Sequence, residues 1–115
     1  ENWHFAGVLP VSIEVHDRPQ GHGYAEMCVD RENPFYAPGT VLKGHEFHYS
    51  RITSSVEDLN LVFDVRRGTG CHSGRDGIVV GNVLATYLHL HALGAPEWAP
   101  ALVPGRHLAG RACST

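Results

Sequence analysis

A small α/β domain, rich in short strands and carrying one short helix near its C-terminus, is what this sequence predicts. Three observations carry that expectation. The chain has 115 residues, enough for one hydrophobic core and too few for two. It contains Gly 13 and Pro 7, punctuation that divides a domain into short elements. Its apolar residues alternate or form short blocks bounded by turn residues, without the 3.6-residue period of a long amphipathic helix.

Taken in order, Phe5 to Leu9 and Val11 to Val15 read as short strands separated by Pro10, which has no N–H to give to a ladder. Gly23 to Val29 follows the turn-rich Arg18-Pro19-Gln20-Gly21 and is closed by Asp30-Arg31-Glu32-Asn33-Pro34, the pattern of another strand. Val41 to Ile52 is the next. Within it Phe47 and Tyr49 share one face, while Glu46, His48 and Ser50 share the other, because strand side chains alternate. Leu59 to Val65 is the clearest β-branched and aromatic run. A Gly-rich, charged loop, Arg66 to Gly77, comes next. Gly77 to Leu90 then reads as two strands split at Gly81-Asn82, residues that tolerate a tight turn. A helix is expected only after Pro96, and Pro100 and Pro104 keep it short. The ordered domain is expected to span residues 1–104, with a poorly ordered tail at 105–115.

Composition excludes several functions. Lys+Arg 9 against Asp+Glu 12 gives a formal charge of −3, which argues against a nucleic-acid partner. No apolar run approaches the roughly 18 residues of a membrane span. Cys28, Cys71 and Cys113 are odd in number and contain no CxxC pair, so the expectation is free thiols in a reducing cytoplasm, with no disulfide framework. The opening Glu1-Asn2-Trp3-His4 has neither an initiator Met nor a signal-peptide pattern, so a piece of a longer protein is expected. The unusual figure is His 9, as many as all Lys and Arg together.

Most of the histidine signal lies in Gly44-His45-Glu46-Phe47-His48-Tyr49-Ser50 and Thr86-Tyr87-Leu88-His89-Leu90-His91. A single strand histidine is usually a polar residue satisfied by backbone or water. Two clusters in one small chain raise the question of metal. His45 and His48 fall on opposite faces of a strand, and their spacing is not that of HExxH. His89 and His91 with Glu97 resemble the cupin pattern of Gly, HxH and Glu. Gly81 lies too far before His89 and Glu97 too far after His91 for that motif, and two argued ligands fall short of the three or four of a tight site. No metal ligand is therefore assigned, and a cupin-like metal-binding domain stands as an alternative.

Read together and in this order, the two histidine motifs, with Gly7-Val8-Leu9-Pro10 and Arg18-Pro19-Gln20-Gly21-His22-Gly23-Tyr24 upstream, resemble the glutaminase domain of the cobyrinic acid a,c-diamide synthase family. These are class I glutamine amidotransferases with a flavodoxin-like α/β sheet. The resemblance covers about the first hundred of the 115 residues, the C-terminal half of such a domain. It implies ATP-dependent, glutamine-hydrolysing amidation of carboxylate side chains on a corrin in cobalamin biosynthesis, or on sirohaem by the same chemistry. It implies glutamine and a tetrapyrrole as substrates, and an N-terminal synthetase domain that binds ATP and Mg²⁺. No GxxxxGK[ST] phosphate loop occurs in this chain, so neither cofactor is expected on it.

By position, His89 matches the family's catalytic histidine, which takes the proton of a nucleophilic Cys and returns it to the departing ammonia. Other class I amidotransferases carry His-x-Glu there, whereas this chain has His91 at the Glu position. A dyad is therefore expected, with a nucleophile upstream of residue 1, and the chain alone should be inactive. Cys28 lies in an expected strand, Cys113 in the tail, and Cys71, the one thiol expected to be exposed, lacks a nucleophile elbow. Glu46 and His48 would border the glutaminase cleft as substrate-binding residues or form a structural network. Tyr24, Tyr49 and Tyr87 read as core or cleft-wall aromatics with a polar tip, the core reading preferred.

Overall fold

The computed structural model of the chain describes residues 2–103 and residue 113. In chain order its elements are β1 (Ile13–Val15), β2 (Gly21–Val29), β3 (Val41–His48), β4 (Ser50–Ile52), β5 (Asn60–Arg67), β6 (Arg75–Val80), β7 (Val83–Ala85), β8 (His89–Leu90) and α1 (Trp98–Ala101). They make a six-stranded sheet of order β7-β6-β5-β2-β3-β8 and a two-stranded ribbon, β1-β4. Every described pairing is antiparallel. The expected strand-rich fold with one short C-terminal helix is therefore what these residues form.

Local sequence explains most of the elements. In β5 the consecutive Leu61, Val62 and Phe63 are all buried, so this strand is covered on both sides. The expected turn at Gly81-Asn82 joins β6 to β7, and Gly81 takes the positive φ of 56° that a side chain would resist. α1 begins after Pro96, contains Pro100 and lasts 4 residues.

The second strand expected within Gly77 to Leu90 ends as β7 at Ala85, and His89–Leu90 forms the separate β8 on the opposite edge of the sheet. Three further strand expectations change. Phe5 to Leu9 forms no strand, and Val11 to Val15 shrinks to β1, because ladder formation stops where β4 offers no further partner. The expected strand from Val41 to Ile52 breaks at Tyr49. Its first part pairs with β2 and its second with β1, so the chain leaves the large sheet there. The third concerns which face is inside. Glu46 and His48 are buried while Phe47 and Tyr49 are exposed, so the polar row of β3 faces inward; Tyr24 is exposed as well, and neither it nor Tyr49 is a core residue.

The main core joins Ala25, Met27 and Val29 of β2, Leu42 of β3, and Val62 and Phe63 of β5 with Tyr36, Leu88 and Ala95. A second cluster of Ile52, Leu61, Cys71 and Ile78 has Leu9, Val11 and Tyr87 packed against it. Leu88, in the first core, and Tyr87, at the second, thus anchor the segment leading to His89. Cys28 and Cys113 are joined by a disulfide with Cα atoms 6.3 Å apart, a departure from the expected set of free thiols; an 85-residue separation carries no sequence signature. Apart from Cys113, the tail expected at 105–115 lies outside the described residues. Among the described residues no helix is long and apolar enough to cross a membrane.

Candidate active site

The two histidine motifs, far apart in sequence, meet on β3 and β8. His45 pairs with His89 and Gly44 with Leu90 in antiparallel register. The approach is close enough that a Cβ on Gly44 would lie 2.1 Å from the His89 carbonyl oxygen, so only glycine fits there. His89 is exposed on this edge strand, ahead of the loop to α1. Its ring stacks on the His45 ring, with centroids 4.8 Å apart and an interplanar angle of 17°. Nδ1 of His89 lies 2.9 Å from the Tyr87 carbonyl oxygen. A carbonyl only accepts, so Nδ1 carries the proton and Nε2 is left as the basic nitrogen.

Tyr87 is itself held at several points. Its ring stacks on His48 at 3.7 Å and 10°, and its hydroxyl is 2.7 Å from Ser50 Oγ. Its N–H donates to Asp76 Oδ2 at 3.1 Å, and the preceding Thr86 hydroxyl donates to the same oxygen at 2.8 Å. Asp76 is fully buried and also accepts the Gly77 N–H at 2.8 Å. Burial raises the Asp76 pKa despite these donors.

Glu46 is 2% exposed and accepts the N–H groups of Thr69 at 2.9 Å and Gly70 at 2.7 Å. His48 donates from Nδ1 to the Ser50 carbonyl at 2.9 Å, and its Nε2 lies 3.9 Å from Glu46 Oε2. Both side chains face groups of this chain from inside the sheet. His91 lies past the end of β8 and accepts the Leu93 N–H at 3.2 Å, in a local turn. Cys71, expected to be exposed, is buried. Burial, helped by the Asp76 carboxylate, pushes its thiol up to about 12, which leaves it a thiol at neutral pH. Among the described residues no three His, Cys, Asp or Glu side chains converge as metal ligands.

Sequence reasoning missed two contributors. Asp76 sat in an apparently ordinary loop-to-strand passage, and only the fold brings it beneath Thr86 and Tyr87. The pairing of His45 with His89 depends on a long-range register that neither motif specifies alone.

Beside the Tyr87 wall, a cavity of about 390 Å³ separates the N-terminal segment from the sheet, with Leu9, Ile13, Ile52 and Ile78 among its lining residues. Its one carboxylate, Asp76, is already engaged by the three donors above.

A strand-edge imidazole with one nitrogen committed to a backbone acceptor and no partner on the other among the described residues is able to exchange a proton at that second nitrogen. Residues 1–97 match the family model of the CobB/CobQ-like glutamine amidotransferase domain, and the chain belongs to that family. Among curated proteins it is 40% identical over 97 residues to a cobyrinate a,c-diamide synthase from Magnetococcus marinus, covering 84% of this chain and 21% of that protein. It is 38% identical over 93 residues to one from Methanothermobacter thermautotrophicus, covering 81% and 21%. For one from Methanosphaera stadtmanae the identity is 36% over 92 residues, covering 79% and 20%. The chain thus spans about a fifth of the length of these relatives. No solved structure matches it.

Proposed function

We propose that this chain is the C-terminal part of the glutaminase domain of an ATP-dependent amidoligase that amidates carboxylate side chains of a corrin, as in cobyrinate a,c-diamide synthesis. The observation that carries the reading is the state of His89: exposed, with Nδ1 tied to the Tyr87 carbonyl and Nε2 without a partner among the described residues. The names of the relatives favour a corrin over sirohaem as acceptor.

In the reaction, Nε2 of His89 takes the proton from a cysteine thiol supplied outside the described residues. The thiolate adds to the side-chain amide carbon of glutamine, forming the C–S bond. As the C–N bond breaks, the imidazolium gives its proton to the leaving nitrogen, and ammonia departs from a γ-glutamyl thioester. Water, deprotonated by the same nitrogen, then cleaves the thioester to glutamate and regenerates the thiol. None of the three cysteines here suits the nucleophile's role: Cys28 and Cys113 are bonded to each other and Cys71 is buried.

ATP and Mg²⁺ do not fit these residues, which offer neither a phosphate loop nor, among those described, a convergent set of acidic or histidine ligands. They belong to a synthetase portion, and no step here passes through them. Glu46 and His48 take a packing role in this reading, since their partners are groups of this chain. Trp3, Phe5, Ile13 and Val15 stand in solvent, which suits a chain that is one part of a larger domain.

The test is the nitrogen source. In the full-length protein, His89→Ala is expected to abolish glutamine-dependent amidation and to leave amidation with added ammonia near the unmutated rate. Equal loss of both activities would reject the role given to His89.

A further inference from the structure

We infer that the strand carrying Gly44 to Ser50 is an orienting platform for His89, with His45 as a positioning residue whose ring fixes the plane of the His89 imidazole. This inference rests on the assignment of His89 as the proton-transfer base. A base that serves a thiol must hold one tautomer and one ring orientation, and in a Cys–His–carboxylate site the carboxylate supplies both. Here the position two residues after His89 is His91, whose Nδ1 is engaged by the Leu93 N–H.

The contacts made by His89 supply the same two constraints by other means. The Tyr87 carbonyl, at 2.9 Å, fixes the proton on Nδ1. A single hydrogen bond still lets the ring swing about the N–H···O axis. The His45 ring, stacked at 4.8 Å and 17°, blocks that swing on one face, and it is carried on a strand whose register with β8 is set by backbone pairing. The carbonyl is also anchored, because Tyr87 is held through its ring by His48, through its hydroxyl by Ser50 and through its N–H by Asp76. Three side chains of one strand-turn segment, His45, His48 and Ser50, thus act on two consecutive odd positions, Tyr87 and His89. The motif upstream and the motif downstream interlock residue by residue, which gives a physical reason for both to be present in one chain.

The role assigned to His45 is steric and needs a flat ring, not a ring nitrogen. That separates it from a second base and from a general fold residue.

The experiment uses the full-length protein and three variants, His89→Ala, His45→Ala and His45→Phe. Readouts are kcat and KM for glutamine hydrolysis, the rate of ammonia-dependent amidation, and the ¹⁵N shifts of the His89 imidazole. His45→Ala is expected to lower kcat by about ten- to a hundredfold, the cost of a misoriented catalytic group, with KM for glutamine and ammonia-dependent amidation close to unmutated values. The ¹⁵N shifts should show Nδ1 protonated in the unmutated protein and a mixture of tautomers in His45→Ala. His45→Phe is expected to retain most of kcat and the single tautomer. Unmutated kcat in His45→Ala overturns the inference. So does a His45→Phe variant as slow as His45→Ala, which would assign the effect to a ring nitrogen, or a parallel loss of the ammonia-dependent rate, which would make His45 a general folding residue. If His89→Ala keeps its glutamine-dependent activity, the underlying reading fails, and the tautomer shifts still report whether the platform orients the ring.

Discussion

Glu46 is a charged residue at 2% exposure, and its burial is explained by the two backbone N–H groups it accepts from Thr69 and Gly70. Burying a carboxylate is tolerable when strong donors replace water. Replacing it with Ala would strand the buried Gly70 donor, at a cost of about 1–3 kcal/mol, and release the part-buried Thr69 donor towards solvent. The expected outcome for Glu46→Ala is faster hydrogen exchange at the Thr69 and Gly70 amides, with smaller changes at the far edge strand β7. Unchanged exchange at those two amides would show that the carboxylate does not hold the loop. The residue pattern of β3 was legible in part. Alternation correctly separated Glu46 and His48 from Phe47 and Tyr49. It did not say which row was inside, because the donors that make Glu46 stable in the interior come from a loop 23 and 24 residues away. Cys71 was misread for a related reason: its polar neighbours suggested a surface loop, yet its side chain packs with Ile52, Leu61 and Ile78.

Between elements, the β3–β8 contact decides where His89 stands. β8 has only two residues and one neighbour, so it depends on Gly44 allowing the His89 carbonyl to approach. Gly44→Ala should push β8 off the edge while leaving β2–β3 pairing largely in place. The expected result is loss of protection at the β3–β8 amides and a fall in glutamine-dependent, but not ammonia-dependent, amidation by the full-length protein, on the order of tenfold or more. Retained protection and activity would mean that the edge accommodates a methyl group. The strongest elements in the sequence, β2 and β5, were readable because their apolar residues must be buried whichever strands adjoin them. The two-residue β8 was not separable from the strand expected before it, since so short an element is defined by its partner and not by its own composition. The same dependence removed the strand expected at Phe5 to Leu9.

Across the whole molecule, Arg75 ties together chain segments distant in sequence. Its guanidinium grips the Asp30 carboxylate with two nitrogens just after β2, and also donates to the Leu61 carbonyl of β5. The paired guanidinium holds the Asp30 carboxyl below its usual range. The folded state therefore binds this proton more weakly than the unfolded chain does. The pair stabilises above the unfolded Asp value of about 3.9, and its contribution is lost as pH falls through the lower folded value. Asp30→Asn should remove that acid-sensitive contribution, about 1 kcal/mol or less because the pair is partly solvated, and flatten the acid limb of a stability–pH profile. An unchanged profile would show that the pair is energetically neutral. The larger architecture leads back to His89, which the sheet presents at an exposed edge with no partner on its second ring nitrogen among the described residues. The most direct check is the distance from His89 Nε2 to the nearest cysteine sulfur in an experimental structure of the full-length protein. A thiol contributed from outside residues 1–115 is expected within hydrogen-bond reach of that nitrogen, directly or through one water. A His89 imidazole facing solvent or another side chain, with the reactive cysteine served by a different base, would contradict it.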